Sequence, residues 1–537
     1  MIKKILNKQS KTIAGAAIIL GAASLVSRFL GLIRDRILAG KFGAGIELDI
    51  YYASFRIPDL VYSLIVLGAI SAGFIPVFVG YLKKDEKKSW HLANSILNLI
   101  ILSLLVVCSI LIILAPWLIK LIAPGFSPDD AVLAVKMTRI MLIGCFFLGI
   151  SAIFGGILQS FRKFLIYSLA PIMYNLGIIF GVLVLVRYFG ILGLAYGVVL
   201  GAFLHMAVQI PTAYLSGFRW KLVFDYKFEG TRRLFKLMPP RILGLAFFQI
   251  VCWAMTFMAS FLAVGSITIF NLAHNIWSFP LGVFGISFVV ASFPKLSETA
   301  QKKDRTGFAK AFSSTARQIL FFLLPSTAMF IVLRAQIVRA ILGVGNFDLQ
   351  DTILTVETLA YFSLCLFAEA LMLLCLRGFF AWEDTKTPFL IGVLGTGVRL
   401  SFAWFFSRSM GVPGLALGFS LGSILYLILL LIALKYKAGL LDGKSIFVSG
   451  IKMSLACLFS GAAAYFILKL VSTLVNTTTL FGIIIQAGLA GIAGIIIYLF
   501  FAWLLKIREL NLFLSALFSR LPWKKMDSFN AGYDNEE

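Results

Sequence analysis

Charge is what this sequence has least of: 13% of its 537 residues are Asp, Glu, Lys or Arg, and only 24 are carboxylates. Soluble domains carry about a quarter charged residues, so an ordinary globular enzyme is excluded. Histidine is scarcer still, with His91, His205 and His274 alone. His91 falls on a connection, and the other two sit in apolar runs where hydrogen-bonded packing, not ligation, is the expected role. No H-E-x-x-H, P-loop, dinucleotide fingerprint or Ser/His/Asp set is present, and the longest connection, about 215–236, is too short for a catalytic domain. The reading is therefore not an enzyme, with no cofactor and no metal. The six cysteines (Cys108, Cys145, Cys252, Cys365, Cys375, Cys457) form no C-x-x-C pair and lie in hydrophobic segments, which predicts core packing. The opening MIKKILNKQSK lacks an A-x-A-like cleavage site after its apolar run, so it predicts a retained first span.

What the chain has in excess is apolar length. Hydrophobic residues make up 60% of it and the mean hydropathy is +0.97. A helix needs about 20 apolar residues to cross the hydrocarbon core. Hydropathy places spans near 12–38, 49–80, 94–122, 132–160, 166–187, 191–214, 237–262, 267–293, 316–342, 353–376, 388–407, 412–434, 446–471 and 480–505. These fourteen, numbered in chain order, predict an all-α polytopic membrane protein.

A net charge of +24 would suit a nucleic-acid partner, but its distribution argues against one. Lys3, Lys4, Lys8 and Lys11 precede span 1, and Lys83, Lys84, Lys87 and Lys88 follow span 2. Basic residues also follow spans 4, 6, 8, 10, 12 and 14, ending with Arg520, Lys524 and Lys525, while GVGNFDLQD (343–351) and STLVNTTTL (472–480) have none. By the positive-inside rule both termini are cytoplasmic, and the cations serve topology first and attraction to anionic lipid second.

The stretch FGILGLAYGVVLG (189–201) has a near-copy in MGVPGLALGFSLG (410–422): at an offset of 221, seven positions match without a gap. Close-packed small residues alone would explain some of this, but duplication explains more. Weaker echoes pair YYASFRIP (51–58) with FNLAHNIW (270–277), and QSFRKFLIYSLAP (159–171) with RGFFAWEDTKTP (377–388). Six spans separate the copies, so the halves are expected to be parallel repeats with a substrate site between them near mid-membrane. The expected divisions are a six-helix lobe at 1–215, a basic cytoplasmic linker at 216–236, a second six-helix lobe at 237–436, two further spans at 437–506 and a cytoplasmic tail at 507–537.

Against this background the charges inside spans stand out. Arg28 lies about 22 Å along span 1 and Arg56 about 11 Å in from the outer end of span 2, so both fall at similar depth in the outer half. An ion at mid-membrane costs about 2.5–3.5 kcal/mol or more and marks a pathway by default. Arg34 and Arg36 are near enough to the interface to snorkel, the expected role for Arg36. Two cations at one depth call for an anion: Asp35, Asp49, Asp59 or the substrate. In the second half, Glu369 in span 10 and Arg399 in span 11 need not meet, since their straight-helix depths differ. Glu369 is either a coupling-ion or proton site or a partner to a nearby polar group.

The motifs SRFLGLIRD (27–35), FGAGIELD (42–49), FRIPD (55–59), GAISAGFIPVF (68–78) and RGFFAWEDTKTP (377–388) resemble those of the MurJ (MviN) family of lipid II flippases, in the multidrug/oligosaccharidyl-lipid/polysaccharide exporter superfamily. The likeness covers essentially the whole chain. It implies a carrier in the bacterial cytoplasmic membrane for the undecaprenyl-diphosphate-linked glycopeptide lipid of peptidoglycan synthesis, with membrane lipids and cell-wall synthesis proteins as its surroundings. It also implies that Arg28 and Arg34 face a central cavity beside Asp35, that Asp49 matches the acidic position after FGAG, and that spans 13 and 14 hold the lipid tail. Coupling to a monovalent cation or to the membrane potential stays open. The chain departs from the family at Tyr62, Leu67, His274 and Asn275, positions that are usually charged. Two other readings remain: a flippase for a different polyprenyl-diphosphate-linked glycan, and a cation-coupled drug exporter, for which acidic cavities and twelve spans would be expected.

Overall fold

The computed structural model describes residues 13–518, without the side chains of 13–18, 67–72, 237, 239–248 and 516–518. The basic residues expected before span 1 and beyond 518 lie outside the described residues. So does the side chain of Leu67. Helices dominate and no strand occurs among the described residues. All fourteen expected spans coincide with helix, from Ile13–Phe42 for span 1 to Leu480–Leu504 for span 14. Among the described residues ten are individually long and apolar enough to cross a bilayer, and span 10 makes eleven if its two pieces, bent by 42°, count as one. Spans 1, 2 and 7 are helical too, and each includes positions whose side chains lie outside the described set.

Several spans are interrupted. Span 2 runs as Ile46–Ser54, Arg56–Val61, a π turn at Tyr62–Leu67 and Gly68–Leu82. Span 8 runs as Ser266–Pro280, a π turn at Leu281–Gly285 and Ile286–Gln301. Span 10 breaks between Leu349–Ser363 and Leu366–Ala381. Such breaks inside a membrane persist where neighbouring protein satisfies the displaced backbone.

The repeated stretches share backbone as well as sequence. Gly190 (φ 56, ψ −147) and Gly411 (φ 65, ψ −138) take the same left-handed conformation just before spans 6 and 12. That conformation suits a residue without Cβ. A Cβ at Gly193, Gly197 or Gly201 would overlap the backbone of the adjacent span 5 and its π turn, and one at Gly414, Gly418 or Gly422 the backbone of span 11. Small residues let each helix pair approach this closely. Arg162 (φ 56) and Glu383 (φ 57), also 221 apart, close spans 4 and 10 with the same turn.

At the basic end of the bundle, the connection after span 6 is strapped to the helix Glu86–Ile122 of span 3. Asn94 donates to the carbonyl of Arg219 (3.0 Å), and Asn98 to those of Lys221 (2.8 Å) and Val223 (3.0 Å). His91 Nε2 lies 3.0 Å from Asp225, and this hydrogen bond holds the Asp225 carboxyl below its usual range. These bonds satisfy a loop backbone that has no ladder of its own.

Candidate functional site

Span 1 (Ile13–Phe42) runs along the seam between spans 1–6 and spans 7–12, and its charges meet span 8. Arg28 is half-buried against the π turn of span 8, where a Cβ at Gly282 would overlap its guanidinium. Among the described residues it makes no ion pair. Six residues on, Arg34 grips its neighbour Asp35, with Nε and Nη2 donating to Oδ1 at 3.0 and 2.8 Å. Its Nη1 donates to Asn175 Oδ1 of span 5 at 3.2 Å. The other carboxylate oxygen of Asp35 accepts from Asn275 Nδ2 of span 8 at 3.0 Å. Asp35 thus compensates Arg34 rather than Arg28, and its charge is held at the seam by an amide from across it.

Arg56 is buried, with neutral partners. Nε donates to Thr256 Oγ1 of span 7 and Nη2 to Asn271 Oδ1 of span 8, both at 2.7 Å. Trp253 Nε1 donates to its carbonyl at 3.1 Å. With Arg34 paired to Asp35, neither Arg28 nor Arg56 has a carboxylate within ion-pair distance among the described residues.

Asp49 caps the first helix of span 8 from across the seam. Oδ2 accepts from the Gly265 amide (2.7 Å), and Oδ1 from the amide (2.7 Å) and hydroxyl (2.6 Å) of Thr268. This is an N-cap supplied by another helix, where carboxylates are favoured by the exposed amides. Asp49→Ala is expected to lower stability by about 2–4 kcal/mol, since it strands two amides and a hydroxyl in a buried site. Thermal unfolding of the purified protein checks this, and an unchanged midpoint would deny the cap its role.

The end of the seam away from the basic connections is stitched shut. Asn346 donates from its amide to the Gly40 carbonyl (2.9 Å) and from its side chain to Lys41 (2.8 Å), and the Ala44 amide donates to Asp351 (2.8 Å). Arg36 does not snorkel there. Its Nη1 donates to the carbonyls of Ala340 (2.7 Å) and Ile341 (3.3 Å), capping the C-terminus of Arg334–Ile341. That helix end needs acceptors satisfied more than the cation needs water.

Glu369 and Arg399 do meet, contrary to their straight-helix depths. Arg399 Nη2 lies 2.8 Å from Glu369 Oε1, which also accepts from Ser423 Oγ at 2.8 Å, and the guanidinium lies 4.4 Å from the Phe419 ring centre. The break after Ser363 bends span 10, so a constant rise along one axis misplaces Glu369. The pair joins spans 10, 11 and 12.

His205 and His274 are packing residues. His205 Nδ1 shares a 2.6 Å hydrogen bond with Ser151, and His274 lies among the rings of Phe270, Trp277 and Phe362. Sequence reading missed Asn175, Asn271, Asn275, Thr256 and Gly282 as partners of the charges. Asparagine inside an apolar run was the available signal. It also missed a cavity of about 280 Å³ within the first six spans, lined by Phe55, Asp59, Tyr62, Tyr174 and His205 among others.

An all-α bundle of many apolar, partly broken helices has the build of a polytopic membrane protein. A family model described as "Lipid II flippase MurJ" matches residues 38–485, and the chain belongs to that family. The probable lipid II flippase MurJ of Buchnera aphidicola (from Acyrthosiphon pisum) is 28% identical over 504 residues, covering 91% of this chain and 97% of that one. The Thermotoga maritima protein of the same name is 26% identical, covering 90% and 95%. A solved "Lipid II flippase MurJ, inward closed conformation" superposes with a TM-score of 0.73 at 25% identity, covering 93% of this chain and all of that one. An inward-facing MATE multidrug transporter shares the fold at 14% identity, with a TM-score of 0.65 over 79% of this chain and 98% of that one.

Proposed function

We propose that this protein is a lipid II flippase of the bacterial cytoplasmic membrane. It moves the undecaprenyl-diphosphate-linked peptidoglycan precursor from the inner to the outer leaflet by alternating access. The observation that carries the reading is Arg28, an intramembrane guanidinium at the seam with no carboxylate partner among the described residues, close to span 8. Guanidinium suits a diphosphate because its planar fork gives bidentate, charge-assisted bonds to phosphate oxygens.

In this reading the basic end faces the cytoplasm and the seam admits the headgroup from that side, because the far end is stitched. Arg28 and Arg56 draw in the diphosphate. Arg34 joins them when Asp35 stays with Asn275. Asp35 and Asp49 act as clasps across the seam rather than as ligands of the cargo. Release outward requires the bonds Asp49–Thr268, Asp35–Asn275 and Asn346–Gly40 to open together. Spans 13 and 14 hold the polyprenyl tail. Glu369 is compensated by Arg399, so the membrane potential is the stronger source of drive. An inside-negative potential favours outward movement of an anion by about 2.3 kcal/mol per charge per 100 mV.

The neutral Tyr62, His274 and Asn275 at usually charged positions favour, as a second reading, a cargo with the same diphosphate and a different glycan. Depletion of the protein separates the two. The lipid-linked disaccharide-peptide is expected to accumulate on the cytoplasmic face, and accumulation of another lipid-linked glycan with lipid II unaffected would select the second reading.

A further inference from the structure

We infer that the basic end of spans 13 and 14 holds the phosphate of an anionic glycerophospholipid in a dedicated pocket, separate from the seam. A cavity of about 250 Å³ lies where span 9, span 13 and the helix Arg508–Phe518 converge. Arg317, Lys452, Lys506 and Arg508 line it together with the hydroxyl-bearing Ser445 and Ser449.

Two carboxylates lie nearby, and both are engaged. Arg317 Nε donates to Glu509 at 2.6 Å, its Nη1 lies 3.8 Å from Asp442, and the same nitrogen donates to Ser445 at 2.6 Å. This network fixes one wall of the pocket and leaves four cations facing two anions. Lys452 Nζ donates to the Leu505 carbonyl at 3.1 Å, which holds its ammonium at the rim with further N–H groups for an anion.

The backbone argues that these cations are placed. Lys506 takes φ 53, in the left-handed turn that ends span 14, with its amide bonded to Trp503 (3.0 Å) and the next amide to Ala502 (2.9 Å). Glycine is the usual occupant of such a position. A lysine there accepts backbone strain and brings an ammonium to the pocket mouth.

The surroundings select a lipid over free phosphate. Immediately beside the pocket, Phe447, Val448, Ile451 and Leu455 of span 13 and Trp503 and Leu504 of span 14 are exposed apolar side chains. Leu512 of the following helix is exposed too. A phosphate held by the cations therefore has acyl-length apolar surface below it, the arrangement expected of a bound headgroup at the inner interface. The bound lipid would tie the pair of spans 13 and 14 to span 9, next to the bond from Tyr498 Oη to the Phe321 carbonyl (2.9 Å).

The test uses the full-length protein in lipid nanodiscs, with native mass spectrometry of retained lipid after mild extraction. Wild type is expected to retain phosphatidylglycerol over phosphatidylcholine. Lys452→Gln and Lys506→Gly should each lower that retention about fivefold, as expected for one interfacial cation. Lys506→Gly is chosen because glycine suits the left-handed turn, so a loss of lipid cannot be assigned to unfolding. Equal retention of phosphatidylglycerol by wild type and both variants would overturn the proposal. So would displacement of the lipid by millimolar inorganic phosphate, which would make this a site for the free ion.

Discussion

Arg28→Ala is expected to abolish export of the lipid-linked precursor while leaving membrane insertion and abundance unchanged. The side chain is half-buried at the seam and has no carboxylate to leave stranded among the described residues, so its removal relieves a desolvation cost rather than breaking a buried pair. Loss of function with an intact fold is the signature of a group kept for its cargo. Arg28→Lys should retain part of the activity at best, because it keeps the charge but loses the fork. Gly282 sharpens the point, since Gly282→Leu would fill the place where the guanidinium lies. Surface exposure of the precursor, measured in cells that depend on each variant, reads the effect. Normal export by Arg28→Ala would reduce this arginine to a snorkelling side chain.

The second large effect runs the opposite way, through stability. Glu369→Ala is expected to cost about 3–5 kcal/mol and to deplete folded protein, because it leaves Arg399 buried without its anion. Arg399 is 8% exposed, and its Nε already lacks a partner among the described residues. Glu369→Gln should cost less, since the amide still accepts from Ser423. The double variant Glu369→Gln with Arg399→Met should recover much of the loss, an interaction that a double-mutant cycle on thermal unfolding isolates. Additive losses would show that the pair does not act as a unit. Recovered stability without recovered export would give Glu369 a part in the drive.

The fourteen helical segments were legible because membrane insertion leaves a strong linear signal, and each span appears where hydropathy put it. The repeat was legible too, because Gly193, Gly197 and Gly201 and their counterparts Gly414, Gly418 and Gly422 lie at close helix approaches that leave no room for a Cβ. The seam was only partly legible. Arg28, Arg34, Asp35 and Arg56 were flagged by depth, but their partners depend on which helices are neighbours, and one-dimensional depth is silent on that. The Arg399–Glu369 pair shows the limit most clearly: arithmetic along a straight helix fails at the break in span 10. Asp49 illustrates another limit, since capping a helix 216 residues away leaves no local trace.

The most direct test of the central claim is flipping by the purified protein in vesicles. A fluorescent lipid-linked disaccharide-peptide carrying the diphosphate is placed in both leaflets, and an impermeant quencher is added outside. Quenching is expected to proceed past the outer-leaflet fraction with wild type and to stop there with Arg28→Ala. The sugar-free polyprenyl diphosphate should still be moved, and a polyprenyl glycan without phosphate should not. Equal transport of the phosphate-free lipid, or full transport by Arg28→Ala, would contradict the account.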